Sequence, residues 1–163
     1  EEAAMRLYEI SEGSFVLHSM EEQDVDTIGM SDIIAIASDG NSLRNTGPLS
    51  NGKPHPRSYG TNTRFIEDMV VNKKKVSISN AIYRMTSLPA SRIGLKNRGE
   101  IKKGYFADIN IFKPEELKEN ATYVDPHQYS TGMKWVLVNG KIALKDGKKI
   151  EGRFGKVVRS KEG

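Results

Sequence analysis

Ile33-Ile34-Ala35-Ile36-Ala37-Ser38-Asp39-Gly40 is the stretch whose reading decides the fold. A continuous apolar run, rich in β-branched residues, ends in small residues around a single carboxylate. An uninterrupted apolar run bounded by turn residues is the pattern of a strand buried on both faces, as in parallel sheets. Asp39 at its end is then presented to a cleft as one acid or base. Asp-Gly is also an ordinary turn dipeptide, so the surrounding sequence has to decide between a site and a turn.

Upstream, Ala4, Leu7 and Tyr8 fall at i, i+3 and i+4 and predict a helix over 1–10 that Gly13 ends. Ser14-Phe15-Val16-Leu17-His18 reads as a short strand, and Glu21 to Met30 as a short acidic helix or turn. The order helix, strand, helix, strand predicts α/β architecture. Downstream, residues 40–60 form a long loop rich in Asn, Gly, Pro and Ser, and it carries His55-Pro56-Arg57. A loop of this length inside a domain is usually functional or disordered. Thr61 or Thr63 is the predicted cap of the next helix, with Ile66, Met69 and Val70 on one face and Lys73-Lys74-Lys75 at its end. Ser77 is a predicted N-cap for a helix whose Ile78, Ala81, Ile82, Met85 and Leu88 form a core stripe, with Tyr83 also read as packing. Pro89 suits the first turn of a short following helix, and Gly94 suits its stop.

At about Leu95 helical periodicity gives way to turn-bounded strands. Ala107, Ile109 and Ile111 alternate with Asp108, Asn110 and Phe112. Trp135-Val136-Leu137-Val138, then Asn139-Gly140, then Lys141-Ile142-Ala143-Leu144 predicts a hairpin on a type I′ turn. Asp146-Gly147 turns the chain again. Residues 118–130 between the strands are polar and irregular. The predicted organisation is therefore 1–94 as strand–helix units and 95–163 as a β part.

With 163 residues, 37% hydrophobic and 28% charged, the chain has material for a folded core and too little polarity for wholesale disorder. No apolar run reaches the ~20 residues of a membrane span. The chain opens Glu1-Glu2-Ala3-Ala4, without methionine and without a basic-then-apolar segment, so the expectation is no signal peptide and a piece of something longer. With no cysteine there is no disulfide framework and no thiolate metal site, which fits a cytoplasmic setting. The net charge of +4 is scattered over separate lysine clusters, with no arginine-rich helix or stacking platform, so neither nucleic acid nor membrane is an expected partner.

The three histidines are His18, His55 and His127. They form neither His-x-His nor His-Glu-x-x-His, so no metal motif is complete. His18 and Asp39 end neighbouring predicted strands and are a candidate pair for a shared metal, against a structural role for His18. His127 reads as structural. There is no nucleophile elbow, phosphate loop or Gly-x-Gly-x-x-Gly.

Ala37-Ser38-Asp39-Gly40 followed by His55-Pro56-Arg57-Ser58-Tyr59-Gly60-Thr61 resembles the last barrel strand and loop of the N-acyl-D-amino-acid deacylases (D-aminoacylases), members of the metal-dependent amidohydrolase superfamily. The resemblance continues through Arg84-Met85-Thr86-Ser87-Leu88-Pro89-Ala90, Gly99 to Asp108, Asp125 to Tyr129 and Val136 to Gly140. It implies the C-terminal part of a TIM-like (β/α) barrel over 1–94 and strands of a small β-sandwich over 95–163. It implies a zinc enzyme that hydrolyses small N-acyl-D-amino acids. Asp39 is then the metal-linked carboxylate that takes and returns the proton, Arg57 holds the substrate carboxylate, and His55 shapes the same pocket. The β part carries no catalytic residue. Most zinc ligands lie outside this sequence, so activity is expected only together with the missing N-terminal part. Two other readings stay open: another amidohydrolase, dihydroorotase-like or hydantoinase-like, and a non-catalytic packing module.

Overall fold

The computed structural model describes residues 2–11 and 19–159. The strand expected over 14–18, the Gly13 stop and His18 lie outside the described residues. Helices fill the first part of the chain: α1 (Glu2–Ser11), α2 (Glu22–Met30), α3 (Arg57–Phe65), α4 (Ile78–Met85) and α5 (Ser87–Arg92). From Ile66 to Asn72 the helix of α3 continues as a π-helical stretch.

Local chemistry sets the helix ends. The Ser77 hydroxyl accepts a 3.2 Å bond from the Asn80 N–H and opens α4, as its sequence position predicts. At the end of α5, the Leu95 N–H reaches the Ala90 carbonyl (2.9 Å) and the Gly94 N–H that of Ser91 (3.2 Å). That pair of bonds is a Schellman stop. The α3 start differs from expectation: the helix begins at Arg57, ahead of Thr61 and Thr63. His55 supplies the reason, since its Nδ1 accepts the Arg57 N–H at 3.0 Å.

The core lies between these helices. Met69, Val76 and Ala81 are buried together, with Phe65 and Val70 packed against them. Leu88 and Ala90 are also buried, whereas Tyr83 is 47% exposed and faces outward. Arg84 is wholly buried, one residue off the apolar stripe. Its Nε donates to the Ile34 carbonyl (2.8 Å) and its Nη1 to the Gly29 carbonyl (2.5 Å).

The segment after Asp32 corrects the reading of Ile33 to Ala37 as a doubly buried strand. Ile33 lies in a turn with Asp32 and is 77% exposed, and residues 34–40 form no strand. The segment's backbone is tied to α4 instead: the Ile36 N–H donates to the Arg84 carbonyl at 3.0 Å. A parallel strand needs a neighbouring strand to complete its ladder, and none of the described residues supplies one.

The lysine cluster after the π-helical stretch also departs from a simple solvated face. Lys73 binds Glu22, Asp26 (2.8 Å) and Asp68 (2.9 Å), and Lys75 binds Asp26 (2.6 Å). These pairs tie α2 to the chain after α3. The bonds from Lys73 and Lys75 hold the Asp26 carboxyl below its ordinary range, and the three carboxylates hold Lys73 above the lysine range.

The β part is a four-stranded antiparallel sheet in the order β1 (Ile109–Phe112), β2 (Met133–Val138), β3 (Lys141–Lys145), β4 (Lys148–Lys149). Ile109 pairs with Leu137 and Val138 with Lys141. Asn139 and Gly140 both take positive φ (49° and 78°), as a type I′ turn requires. Asp108 anchors the corner, accepting the Asn139 N–H at 2.7 Å and pairing with Arg98.

Candidate active site

Asp39 stands where this segment turns into the loop, in the left-handed region at φ 47°. Non-glycine residues adopt that region mainly when they are Asn or Asp. The next residue has to be small: a Cβ on Gly40 would lie 2.7 Å from the Ser58 Cα. That close approach lets the Ser58 hydroxyl accept the Asn41 N–H at 3.3 Å. It brings the N-terminus of α3 against the Asp39 turn.

Arg57, the first residue of α3, consequently reaches Asp39, with Nη2 3.1 Å from Oδ2. The carboxylate is 89% exposed and the guanidinium 46% exposed. An ion pair this open contributes about 0–1 kcal/mol, so another carboxylate can displace it at little cost. Two of the three residues nominated from sequence are thus in direct contact. The third, His55, sets the start of Arg57's helix through its Nδ1 and approaches the Tyr123 hydroxyl with Nε2 at 3.2 Å. Its ring meets that of Tyr123 edge-on at 5.1 Å.

Arg57, His55 and Tyr123 border an open cleft of ≈ 610 Å³. Ser38, His55, Arg57 and Tyr123 line its polar side, and Ile36, Phe65 and Met69 are among the residues of its apolar side. Asp39 itself does not line the cleft; its sequence neighbour Ser38 and its ion-pair partner Arg57 do. Glu119 also lines the cleft; burial raises its carboxyl above the ordinary range, and Arg64, 3.8 Å away, opposes the shift. Glu119 and Tyr123 come from the β part, to which the sequence reading gave no part in the site. Nothing in their spacing points to the cleft, because both are brought there by long-range packing.

Among the described residues, the one group of three metal-capable side chains is Glu22, Asp26 and Asp68, and Lys73 already occupies all three carboxylates. Asp39 belongs to no such group. Zinc takes four donors in structural sites and three plus a water in catalytic ones, so the described residues do not make up a zinc centre. A metal pair of His18 with Asp39 lies outside the described residues. His127, read as structural, bonds to the Tyr59 hydroxyl (2.7 Å) and the Gly52 carbonyl (2.8 Å).

Helices thus set a charged loop beside an antiparallel sheet, with one exposed carboxylate on an arginine. Comparison with known proteins gives the chain its family. A family model described as the amidohydrolase family matches residues 47–144, and the chain belongs to that family. Over 122 residues the chain is 35% identical to the N-acyl-D-aspartate deacylase of Alcaligenes xylosoxydans xylosoxydans, covering 75% of this chain and 23% of that protein. It superposes on a crystal structure of D-aminoacylase with a TM-score of 0.75 at 31% identity, covering 85% of this chain and 28% of the other. The N-acyl-D-glutamate deacylase of Bordetella bronchiseptica, complexed with zinc and a phosphonate mimic of the tetrahedral intermediate, gives a TM-score of 0.74 at 33% identity, covering 86% and 28%. The chain spans about a quarter of the length of the curated relatives it matches.

Proposed function

We propose that this chain is the C-terminal portion of a zinc-dependent N-acyl-D-amino-acid deacylase, whose substrate carboxylate is held by Arg57. The observation that carries the reading is the exposed Arg57–Asp39 pair, whose arginine lines the cleft. A guanidinium is a planar fork that grips a carboxylate through two parallel bonds. Held by a weak surface pair, Arg57 is free to exchange Asp39 for the substrate. Asp39 is thereby released next to the bound molecule, where a carboxylate can take a proton and return it to the leaving amine. His55 keeps Arg57 in place through the first bond of α3. Similarity to the D-aspartate and D-glutamate deacylases and to D-aminoacylase supports this substrate class.

The zinc of this reading belongs to the complete enzyme, with Asp39 as one donor and the remaining ligands supplied from outside this sequence. Residues 1–94 form the last strand–helix units of a TIM-like barrel, and 95–163 form strands of a small β-sandwich. The segment from Ile34 to Ala37 is then a barrel strand whose neighbours lie elsewhere, and Asp39 lies at its C-terminal end. Barrels of this type place their sites at that end of the strands.

The test is hydrolysis of an N-acetyl-D-amino acid, its L enantiomer and the corresponding D-amino acid amide, by the complete enzyme containing this chain. Turnover of the D acid, with the L enantiomer and the amide both poor, is expected. Equal turnover of acid and amide removes the role given to Arg57. Preference for a cyclic imide or hydantoin substrate transfers the chain to another branch of the family.

A further inference from the structure

The loop that leads to His55 and Arg57 is clamped from the β part by His127, and the hydrogen bonds there determine how many protons the ring carries. The Tyr59 hydroxyl has one proton. Burial raises its pKa, with Tyr129 adding to the effect, so the phenol keeps that proton. It lies 2.8 Å from the Arg44 carbonyl, which can only accept. With that bond made, Tyr59 Oη has only lone pairs left for His127 Nδ1, 2.7 Å away, and accepts from it. On the other side of the ring, Nε2 lies 2.8 Å from the Gly52 carbonyl, again an acceptor only. Both ring nitrogens are therefore donors, which is the imidazolium form.

His55 counts the other way. Its Nδ1 accepts the Arg57 N–H, so its proton is on Nε2 and the ring is neutral.

We propose that His127 is a positioning residue for the substrate-binding loop, acting as an imidazolium that ties Tyr59 of α3 and Gly52 of the loop to the β part. Loss of either proton costs one tie. Without the Nε2 proton, Gly52 is released. Without the Nδ1 proton, the Tyr59 hydroxyl can turn to the ring but leaves the Arg44 carbonyl. The titratable and charged groups around the clamp are Tyr59 on α3, Asp125 and Tyr129 on the loop of His127 itself, and Arg44 and Lys53 on the loop it holds. Asp125 is engaged with Gln128 Nε2 at 2.7 Å, and the Tyr129 hydroxyl accepts the Asn45 N–H at 3.4 Å. The consequence for substrate rests on the reading of Arg57 given above; the clamp itself does not.

The experiment is an imidazole-nitrogen NMR titration of the protein labelled with ¹⁵N-histidine, from mildly acidic to mildly alkaline pH, with signals assigned by single His→Gln substitutions. Amide-exchange protection of Arg44 and Ser50 is followed in parallel. Their N–H groups bond within the clamped loop, to Leu49 (3.2 Å) and Gly47 (3.0 Å). The expected result is that His127 shows two protonated nitrogens on the acidic side. Protection of both amides then falls about tenfold as the ring gives up a proton, the scale of one lost hydrogen bond. In His127→Gln protection is low and independent of pH. A neutral single-tautomer His127 in the protected loop, or amides that ignore its titration, overturns the proposal, and wild-type protein alone suffices for either result. In the complete enzyme KM rises over the same interval with kcat less affected. A flat KM alongside coupled amides removes the role of Arg57 and leaves the clamp standing.

Discussion

Arg84 takes a full charge into the interior, and backbone carbonyls of Gly29 and Ile34 accept its bonds. Burial lowers its pKa, with Asp32 opposing. Its Cζ lies 5.2 Å from the centre of the Phe65 ring, and among the described residues its Nη2 has no partner. Arg84→Met keeps much of the volume but strands two carbonyls, each worth about 1–3 kcal/mol when left unpaired. Urea unfolding should therefore show a loss of about 2–6 kcal/mol; a loss under half a kcal/mol would mean that water replaces the guanidinium. Arg57 is the opposite case, exposed and weakly paired. Arg57→Lys keeps the charge and loses the fork, so in the complete enzyme KM should rise about tenfold or more while kcat changes less. Steady-state kinetics on one N-acetyl-D-amino acid separates the two parameters. Sequence singled out Arg57 as a candidate, because its neighbours form a recognisable loop. It missed Arg84, because a lone arginine beside an apolar stripe ordinarily reaches solvent, and only the nearby carbonyls explain why this one does not.

Among the elements, those written in local chemistry were the legible ones. The Asn139-Gly140 hairpin, the Ser77 cap and the Gly94 stop all depend on residues a few positions apart. The start of α3 was misplaced because its N-cap is Pro56, and the side chain that accepts its first N–H is an imidazole one residue earlier, outside the usual Ser, Thr, Asp and Asn. The Ile33–Ala37 run was misread as buried because a sheet needs partners that local patterning does not supply. Gly132 illustrates a constraint hidden in the same way. It takes φ 90°, and a Cβ there would lie 1.9 Å from the Glu116 carbonyl oxygen. It adjoins the Lys118–Thr131 bridge, whose two bonds measure 3.1 and 2.9 Å. Gly132→Ala should break that bridge and lower Tm by several degrees, read by calorimetry together with exchange of the Thr131 amide. The α2 network adds a pH dependence. Asp26 has a lowered pKa, so its contribution is present above the ordinary value of 3.8 and is lost as pH falls through the lower folded value. Lys73 has a raised pKa, so its contribution is full below 10.5 and is lost as pH rises through the higher folded value. Stability from this network therefore spans the range between them. Asp26→Asn should lower Tm across that window and flatten the acid limb, as thermal melts over a pH series would show; an unchanged acid limb would assign it to other carboxylates.

At the scale of the whole molecule, the family and the helix-then-sheet order were legible, and the assembly of the site was not. Glu119 and Tyr123 cross from the β part to the cleft, so the two parts of the chain build it jointly. Ile28 on α2 (50%) and Ile33 in the turn that follows it (77%) are exposed apolar residues, and the chain spans about a quarter of the relatives it matches. The central claim, that Asp39 moves the proton in a D-selective deacylation, is tested most directly by single-turnover hydrolysis of an N-acetyl-D-amino acid in the complete enzyme, comparing wild type with Asp39→Ala. The account expects the chemical step to slow by about 10²–10⁴-fold with substrate affinity nearly kept, since Arg57 remains. A variant that turns over at the wild-type rate would contradict it.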